Sequence, residues 1–204
     1  MAQLVVALSS PDAADADLFG PKAANQAALG QAGLPIPDGF CLSAEAYRVQ
    51  LRAHGLEKSI AKLPSADMRE ARLLANEIRI GLFDNPIVPE ILEPLLEARR
   101  GLLQRSDAPL VVRSSALVED REGSSFAGQF ESFLGLGSED EFLTAVRACW
   151  AALWSVRALR YMGGHEIDPS DTAMALLIQP LIEAVSSGGG LSQTADGGMI
   201  LSAT

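Results

Sequence analysis

A chain of 204 residues with 48% hydrophobic positions can bury a sizeable core, since domains of this size remove roughly 70% of the unfolded surface from water. Its 26 Asp plus Glu against 16 Lys plus Arg give a net charge of -10, a field that repels nucleic acid and leaves room only for local phosphate binding. The short apolar run near the N-terminus has no basic flank and no stretch reads as long enough to cross a bilayer, so no membrane association is expected.

In chain order, Leu4 to Leu8 suits a short strand, followed by the loop PDAADAD. After Gly20-Pro21, the stretch KAANQAALGQAG holds strong helix formers, with Pro21 tolerated at a first helical position and Gly33 placed to stop the helix. LPIPDGF is a rigid turn. Segments 43–54, 66–80 and 87–104 carry helical spacing, through Ala46, Val49 and Ala53, then Leu73, Leu74 and Ile78, then Ile91, Leu95, Leu96 and Leu103. Together they predict a helical lobe, with a start or kink at Pro94.

The pattern changes at Pro109, where PLVV reads as a buried strand running into RSS, and residues 129–135 alternate as a second strand. Ser138 and Glu141 fit a capping box opening a helix whose apolar face steps through Phe142, Val146, Cys149, Leu153 and Val156. MALLIQPLI is a buried strand, SSGGG a turn, and GMILSA a last strand. Cys41 and Cys149 lie far apart in apolar stretches, where buried free thiols are commoner than a disulfide or metal pair; they point to a reducing, cytoplasmic setting.

Three features carry chemistry. Gly20-Pro21-Lys22 opens a helix whose free amides and positive dipole end suit an anion, with Lys22 adding a full charge; a lysine in a first turn is more often simply solvated. Arg113 follows a buried strand, where its fork can grip phosphate oxygens bidentately, or can pair with Glu119, Asp120 or Glu131. The small residues around Phe126, from Gly123 to Gln129, let backbone approach a ligand, or form an ordinary hairpin connection.

Gln179-Pro180-Leu181 ends the MALLI strand and can offer backbone groups to an adenine edge, although an edge-strand terminus is the plainer reading. His54 reads as a helix C-terminal residue, and His165 has no catalytic or metal partner at a telling spacing. Trp150 and Trp154, four apart, read as packing rather than a stacking platform. Glu119 and Asp120 read as a solvated loop face.

In combination these stretches resemble a known family. GPKAANQAALGQAGLPIPDGFCLSAEAYR is similar to the start of the dikinases of the phosphoenolpyruvate synthase and pyruvate phosphate dikinase kind. VRSSALVEDREGSSFAGQFESFLGL resembles their most distinctive stretch, and MALLIQPLIEAVSSG their third block. The resemblance implies an α+β, ATP-grasp-like fold of the dikinase N-terminal type. In it a helical insertion over about 43–105 joins a mixed or antiparallel sheet built from 1–42 and 106–204, incomplete as a nucleotide lobe.

Carried over position by position, the resemblance implies that Lys22 and Arg113 touch ATP phosphates and act in catalysis. Gly128 and Gln129 belong to a covering loop, Ser132 is a hydroxyl near the nucleotide, and Gln179 and the backbone of Leu181 meet adenine. The family reaction splits ATP to AMP and passes the β-phosphoryl group to a histidine on a swivelling domain, then to an acceptor such as pyruvate, a phenol or a rifamycin. Mg2+ is implied, with its ligands expected outside this chain, as are the phosphohistidine and acceptor-binding domains, in the same full-length chain or a separate subunit.

Two departures stand out: Pro21 replaces the second glycine of the opening turn, and SSGGGLSQT replaces the family's Ser-Gly-hydrophobic-Phe-Thr stretch. On this reading the chain alone is a catalytic fragment, inactive by itself. The alternative is a non-catalytic nucleotide-sensing or assembly module.

Overall fold

The computed structural model describes residues 3–118, 130–165, 167–194 and 196–204. Five strands form one antiparallel sheet: β1 (Val5–Ala7), β2 (Phe40–Leu42), β3 (Leu110–Ala116), β4 (Ser132–Leu136) and β5 (Met174–Pro180), ordered β1-β2-β5-β3-β4. Every residue of β5 is buried, which is why it reads as an unbroken apolar run instead of an alternation.

That placement corrects the edge-strand reading of Gln179-Pro180, because β5 lies between β2 and β3. Pro180 is accommodated as the last residue of the strand, opposite Leu110, where a missing amide costs the ladder least. β3 and β4 pair with a register shift, and Gly135 beside it takes a positive φ of 74°.

The register sorts β3 and β5 into two faces. Val111, Arg113 and Ser115 stand opposite Gln179, Leu177 and Ala175. Leu177 packs with Val6, Cys41, Phe19, Ala23 and Ala27 in a small core, so helix α1 (Ala16–Gln31) covers this side. Val112, Leu176 and Ile178 belong to the large core shared with the other helices.

α1 begins before the expected Gly20-Pro21 start. Asp15 caps it by accepting from the Asp17 amide at 2.9 Å, and Pro11–Ala14 forms a 3-10 turn, so every residue of the expected PDAADAD loop except Asp15 is helical. Gly20, with φ 74° and ψ 166°, breaks α1 into a first turn and a main segment from Pro21.

On the other side, α2 (Ala44–Ala53), α3 (Glu57–Ile60), α4 (Met68–Asp84) and α5 (Pro89–Leu103) follow one another. α2 buries Tyr47, Gln50 and Leu51 and leaves Ala53 exposed. α4 buries Leu74, Ile78 and Leu82 while Leu73 is exposed. α5 starts at Pro89 and runs through Pro94, so the helix does not begin at Pro94. The ladder bond that Pro94 lacks would have gone to the carbonyl of Glu90, an exposed residue.

The capping box is present: Ser138 Oγ accepts from the Glu141 amide at 3.2 Å and Glu141 Oε2 from the Ser138 amide at 2.9 Å. The Ser138 amide, with the Ser138 hydroxyl and the Gly137 amide, holds the Glu141 carboxyl below its ordinary range. The helix they open, α6 (Glu139–Ala152), ends before Val156, where Ser155 caps a separate helix α7 (Val156–Gly164). By length and apolar composition the 26 residues Glu139–Gly164 could span a bilayer, contrary to the sequence expectation. Here they are core: Phe142, Val146, Cys149, Trp150 and Trp154 are buried, and the helix breaks at Ser155.

Trp154 Nε1 donates to the Tyr47 hydroxyl at 2.7 Å, tying α2 to the end of α6. Gly188–Gly190, expected as a turn, instead belong to strand β6 (Gly188–Leu191), paired with β7 (Ile200–Ala203).

Candidate functional site

The site begins where α1 meets β3. At Gly20 the positive φ excludes most side chains, and a Cβ there would lie 2.2 Å from the Ser115 carbonyl oxygen. Glycine therefore lets the start of the main α1 segment settle directly on the strand. Lys22, half-buried, donates from Nζ to the Ser114 carbonyl at 2.9 Å, and the Ala23 amide donates to Ser115 Oγ at 3.4 Å. The first of these bonds holds the Lys22 ammonium at the strand.

One helical turn beyond Lys22 lies Gln26, on the same face of α1. Its Oε1 accepts from Gln179 Nε2 at 2.8 Å, and the Pro37 carbonyl accepts from the same nitrogen at 3.4 Å. The LPIPDGF turn that supplies Pro37 is clamped at Asp38, whose carboxylate accepts from Arg105 Nε and from the Gly39 amide, each at 2.7 Å. The Arg105 guanidinium, aided by that amide, holds the Asp38 carboxyl below its ordinary range. At Gly39 a Cβ would meet the Ile178 carbonyl oxygen at 2.4 Å, so the turn lies close against β5.

Between these elements opens a pocket of about 380 Å³ bordered by Arg113, Ser132, Gln179, Gln26, Leu134 and Ile182. Arg113 and Ser132 are register partners across β3 and β4, which is why they share a wall. Among the described residues no carboxylate lies within ion-pair distance of Arg113, and Glu131 does not pair with it. Glu119 and Asp120, the other partners considered, lie outside the described residues, as do Gly128 and Gln129.

Leu181 follows Pro180 at the end of β5, with its amide donated to the Pro109 carbonyl at 2.8 Å. The pocket thus combines a guanidinium, an exposed hydroxyl, two side-chain amides and exposed apolar residues, Leu134 and Ile182. That set can take an anionic group at one end and a flat, hydrogen-bonding ring at the other.

Of the expected residues, Arg113, Ser132 and Gln179 come together here, while Lys22 lies outside this lining, four residues before Gln26 on α1. Gln26 was not foreseen; its spacing of four from Lys22 on one helix was the available signal. His54 is the C-cap of α2, with Nε2 3.1 Å from the Pro86 carbonyl. His165 stacks on Tyr161 with ring centroids 4.0 Å apart. Trp150 and Trp154 are core residues. A larger cavity of about 720 Å³ near Met68, Val156 and Leu159 is mostly apolar-lined and contains none of the expected site residues.

Comparison with known proteins bears on this geometry. The family model described as pyruvate phosphate dikinase, AMP/ATP-binding domain, matches residues 16–203. The chain is 32% identical over 181 residues to a probable phosphoenolpyruvate synthase of Methanothermobacter thermautotrophicus, covering 85% of this chain and 26% of that protein. It is 36% identical over 182 residues to the phosphoenolpyruvate synthase of Aeropyrum pernix, covering 84% and 22%. With that of Deinococcus radiodurans the identity is 33% over 172 residues, covering 82% and 22%. The chain spans about a quarter of the length of these relatives.

Proposed function

This chain belongs to the pyruvate phosphate dikinase AMP/ATP-binding domain family, and from that premise we propose that it is the ATP-binding portion of a dikinase-type phosphotransferase with an ATP-grasp-like site. The observation that carries the reading is the convergence of Arg113, Ser132 and Gln179 on one pocket, with Lys22 of α1 anchored to the Ser114 carbonyl of the strand that carries Arg113. The helical part, about 43–105, and the sheet part, 1–42 and 106–204, act together as one nucleotide-binding unit.

In this reading the phosphates lie toward Lys22 and Arg113, the base lies against Gln179, and Ser132 sits between them. Because the Leu181 amide already serves Pro109, its backbone contact with adenine falls to the carbonyl. Gly128 and Gln129 cover the phosphates. Phosphoryl transfer asks a protein mainly to position groups and neutralise charge as it develops. Arg113 supplies a planar two-point grip on phosphoryl oxygens, and Lys22 a compact charge with rotatable donors.

Magnesium accompanies ATP in such chemistry and adds charge neutralisation. Among the described residues no three His, Cys, Asp or Glu side chains gather in a way that could hold a metal ion. The reaction proposed for the complete enzyme splits ATP to AMP and phosphate. It passes the β-phosphoryl group to a histidine on a swivelling domain and then to an acceptor such as pyruvate, a phenol or a rifamycin. The two free, buried thiols support a cytoplasmic setting.

The test is made in an enzyme that joins this chain to swivelling and acceptor domains. Lys22→Ala and Arg113→Ala are each expected to abolish ATP-dependent phosphorylation of the swivel histidine, and near-normal rates in both remove the phosphate-clamp assignment. ATP binding without any phosphoryl transfer favours the alternative, a nucleotide-sensing or assembly module.

A further inference from the structure

We propose that Gln26 determines base specificity: it pins the Gln179 amide so that only the Gln179 carbonyl oxygen faces the pocket, selecting a purine with an exocyclic amine over one with a carbonyl at that position. The inference rests on the nucleotide reading above and adds to it a residue and a selection rule.

A glutamine amide is nearly symmetric in shape, and a half-turn about its last bond exchanges an acceptor for two donors. Left free, Gln179 could serve either kind of base edge. Here both protons on Nε2 are committed, one to Gln26 Oε1 at 2.8 Å and one to the Pro37 carbonyl at 3.4 Å. A backbone carbonyl can only accept, so Pro37 fixes which amide atom is the nitrogen without reference to Gln26. The Pro37 bond is at the long, weak end of the range, which leaves the short bond to Gln26 as the one that holds the orientation.

Gln179 is only 4% exposed, yet it borders the pocket. Among the described residues no donor reaches its Oε1, and that atom is not among the buried polar atoms lacking a partner. It is therefore a solvent-reachable acceptor on a residue that borders the pocket. Gln26 is in turn fixed by α1, whose preceding turn is anchored through Lys22 to Ser114.

Adenine presents an amine at its 6-position, which donates to such an acceptor. Hypoxanthine presents a carbonyl there, which sets oxygen against oxygen and leaves the acceptor unpaired. Stranding a desolvated hydrogen-bonding group in this way weakens binding by about tenfold or more.

The experiment measures dissociation constants for ATP and ITP on this protein by competition with a fluorescent nucleotide. The wild type is expected to favour ATP by about tenfold or more. Gln26→Leu removes the acceptor that holds Nε2, and the preference should fall to within about threefold; Gln26→Ala should do the same and serves if leucine does not pack. Gln26→Glu keeps an acceptor at that place and should retain the preference even if its charge weakens both nucleotides, whereas a merely structural role would shift both affinities together. An unchanged ATP-to-ITP ratio in Gln26→Leu or Gln26→Ala, or no preference in the wild type, overturns the inference while leaving nucleotide binding intact. Failure of the wild type to bind either nucleotide overturns the nucleotide reading itself.

Discussion

Gly20 and Ser115 approach so closely that a Cβ on Gly20 would sit 2.2 Å from the Ser115 carbonyl oxygen and 2.4 Å from its Oγ. This contact seats the start of the main α1 segment on β3 and so sets the distance between Lys22 and the strand that carries Arg113. Gly20→Ala must both adopt φ near 74° and push against backbone that cannot yield. The dihedral alone costs about 1–3 kcal/mol. Urea unfolding should show a lower midpoint, and ATP affinity should fall as well because the Lys22 anchor at Ser114 is displaced.

The Tyr47–Trp154 bond predicts a second effect, confined to stability. Tyr47→Phe keeps the ring but strands Trp154 Nε1 in a site where both residues are at most 2% exposed. An orphaned buried donor costs about 1–3 kcal/mol. The denaturation midpoint should drop with little change in slope, and nucleotide affinity should stay at the wild-type value, since the pair lies on the opposite side of the sheet from the pocket.

The thiols report on burial and on pH. Burial pushes Cys41 from an ordinary value of 9.0 to about 12, and burial, reinforced by Glu131, pushes Cys149 upward too. Neither thiol should react with a disulfide reagent at pH 8 in the folded protein, and both should react in denaturant. A folded pKa raised above the unfolded one contributes stability that is fully present below the unfolded value and is lost as pH rises through the folded one. Stability should therefore decline between about pH 9 and 12 through Cys41, and Cys41→Ala should flatten that decline.

Much of the fold was legible because its signals are local. β3 and β5 are short apolar runs between polar segments, and Ser138 with Glu141 announces a helix start whatever follows. Gln179 was legible as a polar residue near the end of a buried strand, whereas Arg113, expected just past the strand PLVV, lies in the middle of β3, because Ser114, Ser115 and Ala116 continue the pairing with β5. The break at Ser155 was hidden because the apolar period of α6 continues past it to Val156, which proves half exposed. β6 was hidden because Gly188–Gly190 carry no side chains to show an alternation. Gln26 was hidden for a different reason: its partner Gln179 lies 153 residues away, and only the packing of α1 across β3 and β5 brings the two amides together. The expectations for Gly128 and Gln129 fall outside the described residues.

On the proposed function an adenine nucleotide binds in the pocket between α1, β3, β4 and β5. Backbone amide shifts followed by NMR during an ATP titration test it most directly. The shifts should concentrate at residues 20–26, 111–115, 132–134 and 177–182, and Arg113→Ala should suppress them. Shifts centred instead on Met68, Val156 and Arg160 around the larger apolar cavity, or a spectrum unmoved by ATP, would contradict it.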